Sequence, residues 1–177
     1  MTNFLQPKKI ISETAIVEGS VAVDFGFGNG IFLELLAREV GDSGEVYAID
    51  IQEDIIVRVK KEFEEKGIEN VNFIVADLEE EKAIKLKDSS VDFILISSLF
   101  FQLENKEFVA KEAGRILKPN GKVLFIDWRD SFKGLGPDVS LIFPEREAIK
   151  LFRNLSFELE RRVDSGEYHY ALIFRKI

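Results

Sequence analysis

The residues able to do chemistry in this sequence are three acids, each closing an apolar run, and a group of glycines behind the first of them. The stretch Val21-Ala22-Val23-Asp24-Phe25-Gly26-Phe27-Gly28-Asn29-Gly30 takes a strand-like pattern into an acid and then into three glycines spaced two apart. Glycine lacks a Cβ and tolerates positive φ, so such a turn bends sharply and lets a flat or charged ligand lie directly on peptide groups. Asp50 ends a second apolar run twenty positions after Gly30, where a carboxylate can accept hydrogen bonds from both hydroxyls of a ribose. Asp77 follows a third run in Val75-Ala76-Asp77-Leu78. Either of these later acids alone can also be read as a helix N-cap. Three acids at three consecutive strand ends favour a pocket, because parallel strands bring their carboxyl ends to one edge, where ligands of such sheets bind.

The remaining reactive inventory is small. The single histidine, His169, lies in Glu167-Tyr168-His169-Tyr170, and Asp127 lies in Asp127-Trp128-Arg129 at the end of a fifth run. A lone histidine is more often a packed residue than a proton-transfer group, but Asp127 and His169 are the two candidates should a general base be needed. There is no cysteine, which excludes disulfides, thiolate metal sites and a cysteine nucleophile. One histidine and scattered acids give no metal-ligand spacing. The run Glu79-Glu80-Glu81 reads as a solvated face.

The elements that must position these groups follow from periodicity. Short aliphatic or β-branched runs alternate with amphipathic stretches, the pattern of βαβ units around a parallel sheet. Strands are predicted over residues 21–25, 45–50, 71–76, 91–97 and 121–128. A helix carrying Phe32, Leu33, Leu35, Leu36 and Val40 follows the glycines, a second covers 53–66 before Gly67, and a third covers 105–117 before Pro119. Lys118-Pro119-Asn120-Gly121 reads as a turn into the fifth strand. Residues 157–163 and 167–175 break the alternation: they read as two strands around Asp164-Ser165-Gly166, a closing hairpin that forces one strand antiparallel. Residues 131–143, with Gly134, Gly136 and Pro137, form a loop able to fold over the strand ends, and Phe4 and Pro7 can close them from the other side.

Two ligands suit a glycine turn of this kind: a dinucleotide held by its pyrophosphate, and S-adenosylmethionine held by its adenosine and amino-acid tail. The dinucleotide pattern G-x-G-x-x-G would put its third glycine at position 31, which is Ile31. The spacing Asp24-x-Gly26-x-Gly28-x-Gly30 instead resembles motif I of the class I S-adenosylmethionine-dependent methyltransferases. Asp50 matches that family's motif II, Val75-Ala76-Asp77-Leu78 its motif III and Ile96-Ser97-Ser98-Leu99-Phe100-Phe101 its motif IV. The turn Leu117-Lys118-Pro119-Asn120-Gly121 is typical of the same group.

The resemblance implies an α/β, Rossmann-like, doubly wound seven-stranded sheet in the order 3-2-1-4-5-7-6 with strand 7 antiparallel. It spans nearly the whole chain, read as one domain over residues 1–177. The implied cofactor is S-adenosyl-L-methionine, held by Asp24, Gly26, Phe27, Gly28, Asn29, Gly30, Asp50, Ile51, Asp77, Leu78 and Ser97. In these roles Asp50 grips the ribose, Ile51 packs on adenine, and Asp77 and Leu78 read the ring. Asp24 acts through water on the ligand's ammonium, Gly26 and Gly28 approach the ligand most closely, and Gly30 serves helix packing. The family transfers a methyl group by in-line displacement. Small members include quinone-biosynthesis and arsenite-type enzymes, the latter dependent on thiols that this chain lacks. Phe27 stands where a cysteine is frequent, and Phe100-Phe101 where polar residues are frequent, so the implied acceptor is a small molecule of unspecified identity.

Composition limits the partners. A length of 177 residues suffices for one sizeable core, and a net charge of -8 with dispersed basic residues gives no general attraction to phosphate backbones, so no nucleic acid is expected. The N-terminal residues lack a signal-peptide core and the longest apolar stretch is too short to span a bilayer, so no membrane association and a cytoplasmic location are expected. Two alternatives remain: an NAD-dependent oxidoreductase, which shares the alternating fold and the ribose acid, and a non-catalytic module binding an adenosyl ligand.

Overall fold

The computed structural model describes residues 4–81, 83–131 and 134–177. Its centre is a seven-stranded sheet in the order β3-β2-β1-β4-β5-β7-β6. The strands are β1 (Val21–Phe25), β2 (Glu45–Asp50), β3 (Val71–Val75), β4 (Val91–Ser97), β5 (Leu117–Trp128), β6 (Phe157–Val163) and β7 (His169–Lys176). The first five pair in parallel, whereas β7 runs antiparallel to both β5 and β6. The strand order is the one the family resemblance implies, and the antiparallel closure is as the C-terminal runs predict.

Helices cover both faces. On one face α1 (Pro7–Ser12), α2 (Ile31–Val40) and α3 (Glu53–Glu65) pack their apolar sides over Ala22, Ala48, Leu95, Leu124 and Ile126. On the other, α4 (Lys106–Ile116) and α5 (Glu145–Asn154) pack over Val23, Phe25, Ile94, Ile96 and Phe125. A sheet covered on both sides makes its inner strands apolar at successive positions, and this is why β1 and β4 read as continuous runs without polar alternation. On α3 the buried residues are Ile56, Val59 and Phe63, one per turn along one stripe. Asn105 starts α4, its Oδ1 accepting the Phe108 backbone N–H at 3.1 Å.

The predicted turn at Lys118-Pro119-Asn120-Gly121 becomes part of β5. Val91 pairs with Leu117 and Phe93 with Lys122, so the intervening residues bulge out of the ladder, with Asn120 at φ +63°. Helices α1 and α5 have no counterpart in the sequence reading. The predicted loop over 131–143 contains a 3-10 turn at Val139–Leu141, and its Phe132 and Lys133 lie outside the described residues. No helix among the described residues is long and apolar enough to cross a membrane.

Candidate functional site

The carboxyl ends of β1, β2, β3 and β4 open into a cleft of about 720 Å³. Asp24, Gly26, Phe27, Gly28, Asn29, Asp50, Ile51, Asp77, Leu78 and Ser97 line it. Residues dispersed over more than seventy positions of sequence thus meet in one space, because parallel strands end on one edge and each acid stands at or just past such an end.

The glycine turn is built for close approach. Gly28 has φ +54°, and a Cβ added there would meet no atom within 4 Å, so its open side is the cleft itself. Its N–H is fixed from below, donating to Asp50 Oδ2 at 3.1 Å, while Asp50 Oδ1 accepts from Gln52 N at 3.1 Å. Gly30 differs: it lies outside the cleft lining at φ +79°, and a Cβ there would come within 2.9 Å of Val59 Cγ1 on α3. Its absent side chain makes room for helix packing. Gly26 lines the cleft, but Leu99 already covers its open side, with Cδ1 2.9 Å from where a Cβ would stand. Phe27 turns its ring into the core, edge-on to Phe73 at 5.6 Å between centroids. Asn29 Oδ1 accepts the Ile31 N–H at 3.2 Å and so braces the start of α2.

The acids differ in their surroundings. Asp24 is 1% exposed, and its Oδ2 has no hydrogen-bond partner. Burial, helped by the charge of Asp50, pushes its carboxyl up to about 8. A buried oxygen without a partner beside a cleft is a group left for a ligand or water to satisfy. Asp77 Oδ1 accepts from Glu79 N at 2.8 Å, an Asx turn that tightens the chain after β3. Ile51 is 58% exposed although it borders a core strand, which leaves an apolar surface facing the cleft.

Sequence reasoning missed several lining residues. Leu5 reaches the cleft from the N-terminal side beside Pro7, which the sequence places there, whereas Phe4, expected with it, packs against Tyr168 at 5.7 Å. Gln102 and Leu103 line it from a 3-10 turn, Phe100–Gln102, that follows β4. Glu79, read as a solvated face, lines the cleft and accepts the Asn105 backbone N–H, joining the chain after β3 to the start of α4. No periodicity marks these positions, since they belong to irregular segments that meet only after the sheet has formed.

Asp127, Trp128 and His169 do not line this cleft. Asp127 is fully buried on the α4/α5 face, near Tyr170 of β7, with Oδ2 unpartnered and burial pushing its carboxyl up to about 7. His169 lies on the other face, its ring 4.1 Å from that of Trp128, and burial lowers its pKa to about 4. A neutral, enclosed imidazole outside the cleft lining fits a packing residue, the commoner reading of a lone histidine, and this base candidate lies away from the cleft. Phe100 is likewise core, set edge-on to Phe125 at 4.7 Å.

Comparison with known proteins agrees with this geometry. A family described as a methyltransferase domain matches residues 16–170. The chain is 31% identical over 117 residues to an arsenite methyltransferase of Aquipseudomonas alcaligenes, covering 64% of this chain and 34% of that protein. It is 29% identical over 120 residues to a demethylmenaquinone methyltransferase of Staphylococcus aureus, covering 68% and 48%. The chain thus spans about a third to a half of these curated relatives. Among solved structures, an S-adenosylmethionine-dependent methyltransferase from Aquifex aeolicus superposes with a TM-score of 0.88 at 28% identity, covering 98% of this chain and 91% of that one. A type 11 methyltransferase structure from Sulfolobus solfataricus gives 0.76 at 31% identity, with 99% and 95% covered. With the strand order, the glycine turn and these matches in agreement, the chain belongs to the methyltransferase-domain family, among the class I S-adenosylmethionine-dependent methyltransferases.

Proposed function

We propose that this chain, as one domain over residues 1–177, transfers a methyl group to a small, uncharged and largely apolar acceptor, with no nucleic acid or membrane partner. The observation that carries the reading is Gly28: its open side faces the cleft, and its N–H is held by the same carboxylate, Asp50, that would grip a ribose. S-adenosylmethionine, when bound, supplies a methyl group already activated by its positive sulfur. Asp50 keeps lone pairs beyond its two backbone bonds for sugar hydroxyls. Ile51 offers the flat apolar surface for a base, and Asp77 and Leu78 border its edge. Asp24, orphaned and buried, suits the positive end of the donor.

The acceptor class follows from what surrounds the rest of the cleft. Among the described residues its lining includes four carboxyl groups, Asp24, Asp50, Asp77 and Glu79, and no lysine, arginine or histidine. An anionic acceptor would meet repulsion from these groups with no basic side chain of the described lining to offset it, only the donor's own positive sulfur. Leu5, Pro7, Phe32, Leu99 and Leu103 supply apolar walls. With the acids gathered at the strand ends and no imidazole in reach, the acceptor's lone pair must be available without help, and holding donor and acceptor in line supplies the acceleration.

Titration calorimetry separates this reading from its rivals. S-adenosylhomocysteine binds and NADH does not, and Gly28→Val abolishes the binding while the protein still unfolds cooperatively on heating. Preference for NADH, or undiminished binding by Gly28→Val, overturns the placement. Methyl transfer to neutral apolar amines and thiols, compared with their carboxylated analogues, tests the acceptor class. Faster turnover of the carboxylated members would sink it, and a bound donor without turnover across that panel would favour the non-catalytic module.

A further inference from the structure

Helix α4 begins at Asn105 with half of a capping box. Asn105 Oδ1 accepts the Phe108 N–H at 3.1 Å, the first bond of that motif. The return bond, in which the third helical residue accepts the N–H of the capping residue, cannot form, because that third residue is Phe108 and its side chain has no acceptor. The Asn105 N–H is instead taken by Glu79 Oε1, from 26 positions earlier in the chain. A carboxylate there also meets the positive end of the helix. Glu79 is held on its other side as well: its backbone N–H donates to Asp77 Oδ1 at 2.8 Å, in the turn that leaves β3. Two hydrogen bonds thus run without a gap from the turn at Asp77 and Leu78, through Glu79, to the start of α4. Gln102 and Leu103, which line the cleft, stand just before that start, and the Lys106 ammonium on the first turn of α4 donates to the Leu103 carbonyl.

We propose that Glu79 is a positioning residue: it couples the turn at Asp77 and Leu78 to the wall at Gln102 and Leu103, so that filling one end of the cleft steadies the other. That the donor's base sits at Asp77 and Leu78, and that the acceptor meets Gln102 and Leu103, rests on the function proposed above; the coupling does not. A residue that only capped α4 would hold the helix equally well with the cleft empty or full. Glu79 differs because two sides of the cleft hold it, one through its backbone and one through its carboxylate. A ligand that fixes the Asp77 turn removes freedom from the Glu79 side chain, and residues 102–106 then lose less freedom in becoming ordered. These residues are able to respond. The 3-10 turn Phe100–Gln102 and the link to α4 are short and irregular, closed by Gln102 N–H to the Leu99 carbonyl at 3.1 Å and Leu103 N–H to the Phe100 carbonyl at 3.2 Å. Segments of that kind open locally at low free energy.

Amide hydrogen exchange with and without saturating S-adenosylhomocysteine measures the coupling, and no acceptor is needed. In the unmodified protein the ligand raises protection of residues 102–106 about three- to tenfold. Glu79→Gln keeps an oxygen at the same reach and retains most of that rise, whereas Glu79→Ala loses it. The Gly28 amide gains protection in all three proteins and reports that the ligand is bound. A cap without coupling would instead lower protection of residues 102–106 in Glu79→Ala by the same factor in both conditions. That result overturns the proposal, as does an unmodified protein whose residues 102–106 ignore the bound ligand. A second arm works with the cleft empty: Asp77→Ala frees the turn and lowers protection of residues 102–106, but has no further effect there in the Glu79→Ala background. Equal effects of Asp77→Ala in both backgrounds, or none in either, overturn the coupling as well. Should Glu79→Ala fail to fold, Glu79→Met, of similar length and without a strong acceptor, takes its place. Failure of S-adenosylhomocysteine to bind would defeat the proposed function and leave the empty-cleft arm to decide the coupling.

Discussion

Replacing Asp24 by asparagine should stabilise this protein at alkaline pH and leave it nearly unchanged in acid. Asp24 Oδ2 is buried without a partner, and burial together with Asp50 raises its carboxyl from 3.8 to about 8. The folded chain therefore holds a proton that the unfolded chain releases over a span of about four pH units. Stability from this group is fully present below about pH 4 and declines as pH rises, until it is lost above about pH 8. At ~1.4 kcal/mol per unit the ceiling is about 6 kcal/mol, and an effective dielectric well above that of a dry interior, beside an open cleft, reduces the realised effect to about 2–3 kcal/mol. Asparagine keeps the shape and cannot ionise. Urea denaturation of both proteins should give midpoints that nearly coincide at about pH 5 and separate progressively toward about pH 9, with Asp24→Asn the more stable. A constant difference across pH, or a less stable variant at pH 9, would refute the view of Asp24 as a buried, uncompensated acid.

Two further outcomes follow from the same geometry. Asp50→Ala removes both the proposed ribose acceptor and the bond that fixes Gly28 N, and should weaken S-adenosylhomocysteine binding by about 1–3 kcal/mol in calorimetry; an unchanged dissociation constant would move the sugar elsewhere. His169 has its pKa lowered to about 4 from 6.5, so its stability contribution is present above about pH 6.5 and is lost as pH falls toward 4. His169→Gln should therefore flatten the acid limb of the stability profile and leave cofactor binding within about twofold, and a larger change in binding would restore it to the site.

Much of the framework was legible because it is written locally. Strands β1, β2 and β4 fall where the apolar runs predict, since a strand covered on both faces is apolar at nearly every step, and the charged edge strand β6 falls where the closing hairpin was expected. Helix α1 was not legible: six residues give too few turns for periodicity, and its stability comes from Ile10 and Ile11 packing into the core. Nor was the extension of β5, because Pro119 and Asn120 carry ordinary turn chemistry and only pairing across to β4 draws them into the strand as a bulge. At the site the glycines and the strand-end acids could be named, but the separate duties of Gly28 and Gly30 could not. The two share a conformation and differ only in what stands opposite: open space in one case, Val59 in the other.

The sequence by itself determined the alternating order of elements, the glycine turn behind β1 and the acids at three strand ends. These depend on residues close together in the chain, where periodicity and backbone preference act. The tertiary structure alone decided which acids share the cleft, that Asp127 and His169 are enclosed on opposite faces of the sheet, and that Glu79 and the turn after β4 complete the walls. Those outcomes turn on burial and on neighbours from distant segments. A carboxyl group's chemistry is set by its solvation and by the charges around it, and neither exists until the sheet has closed.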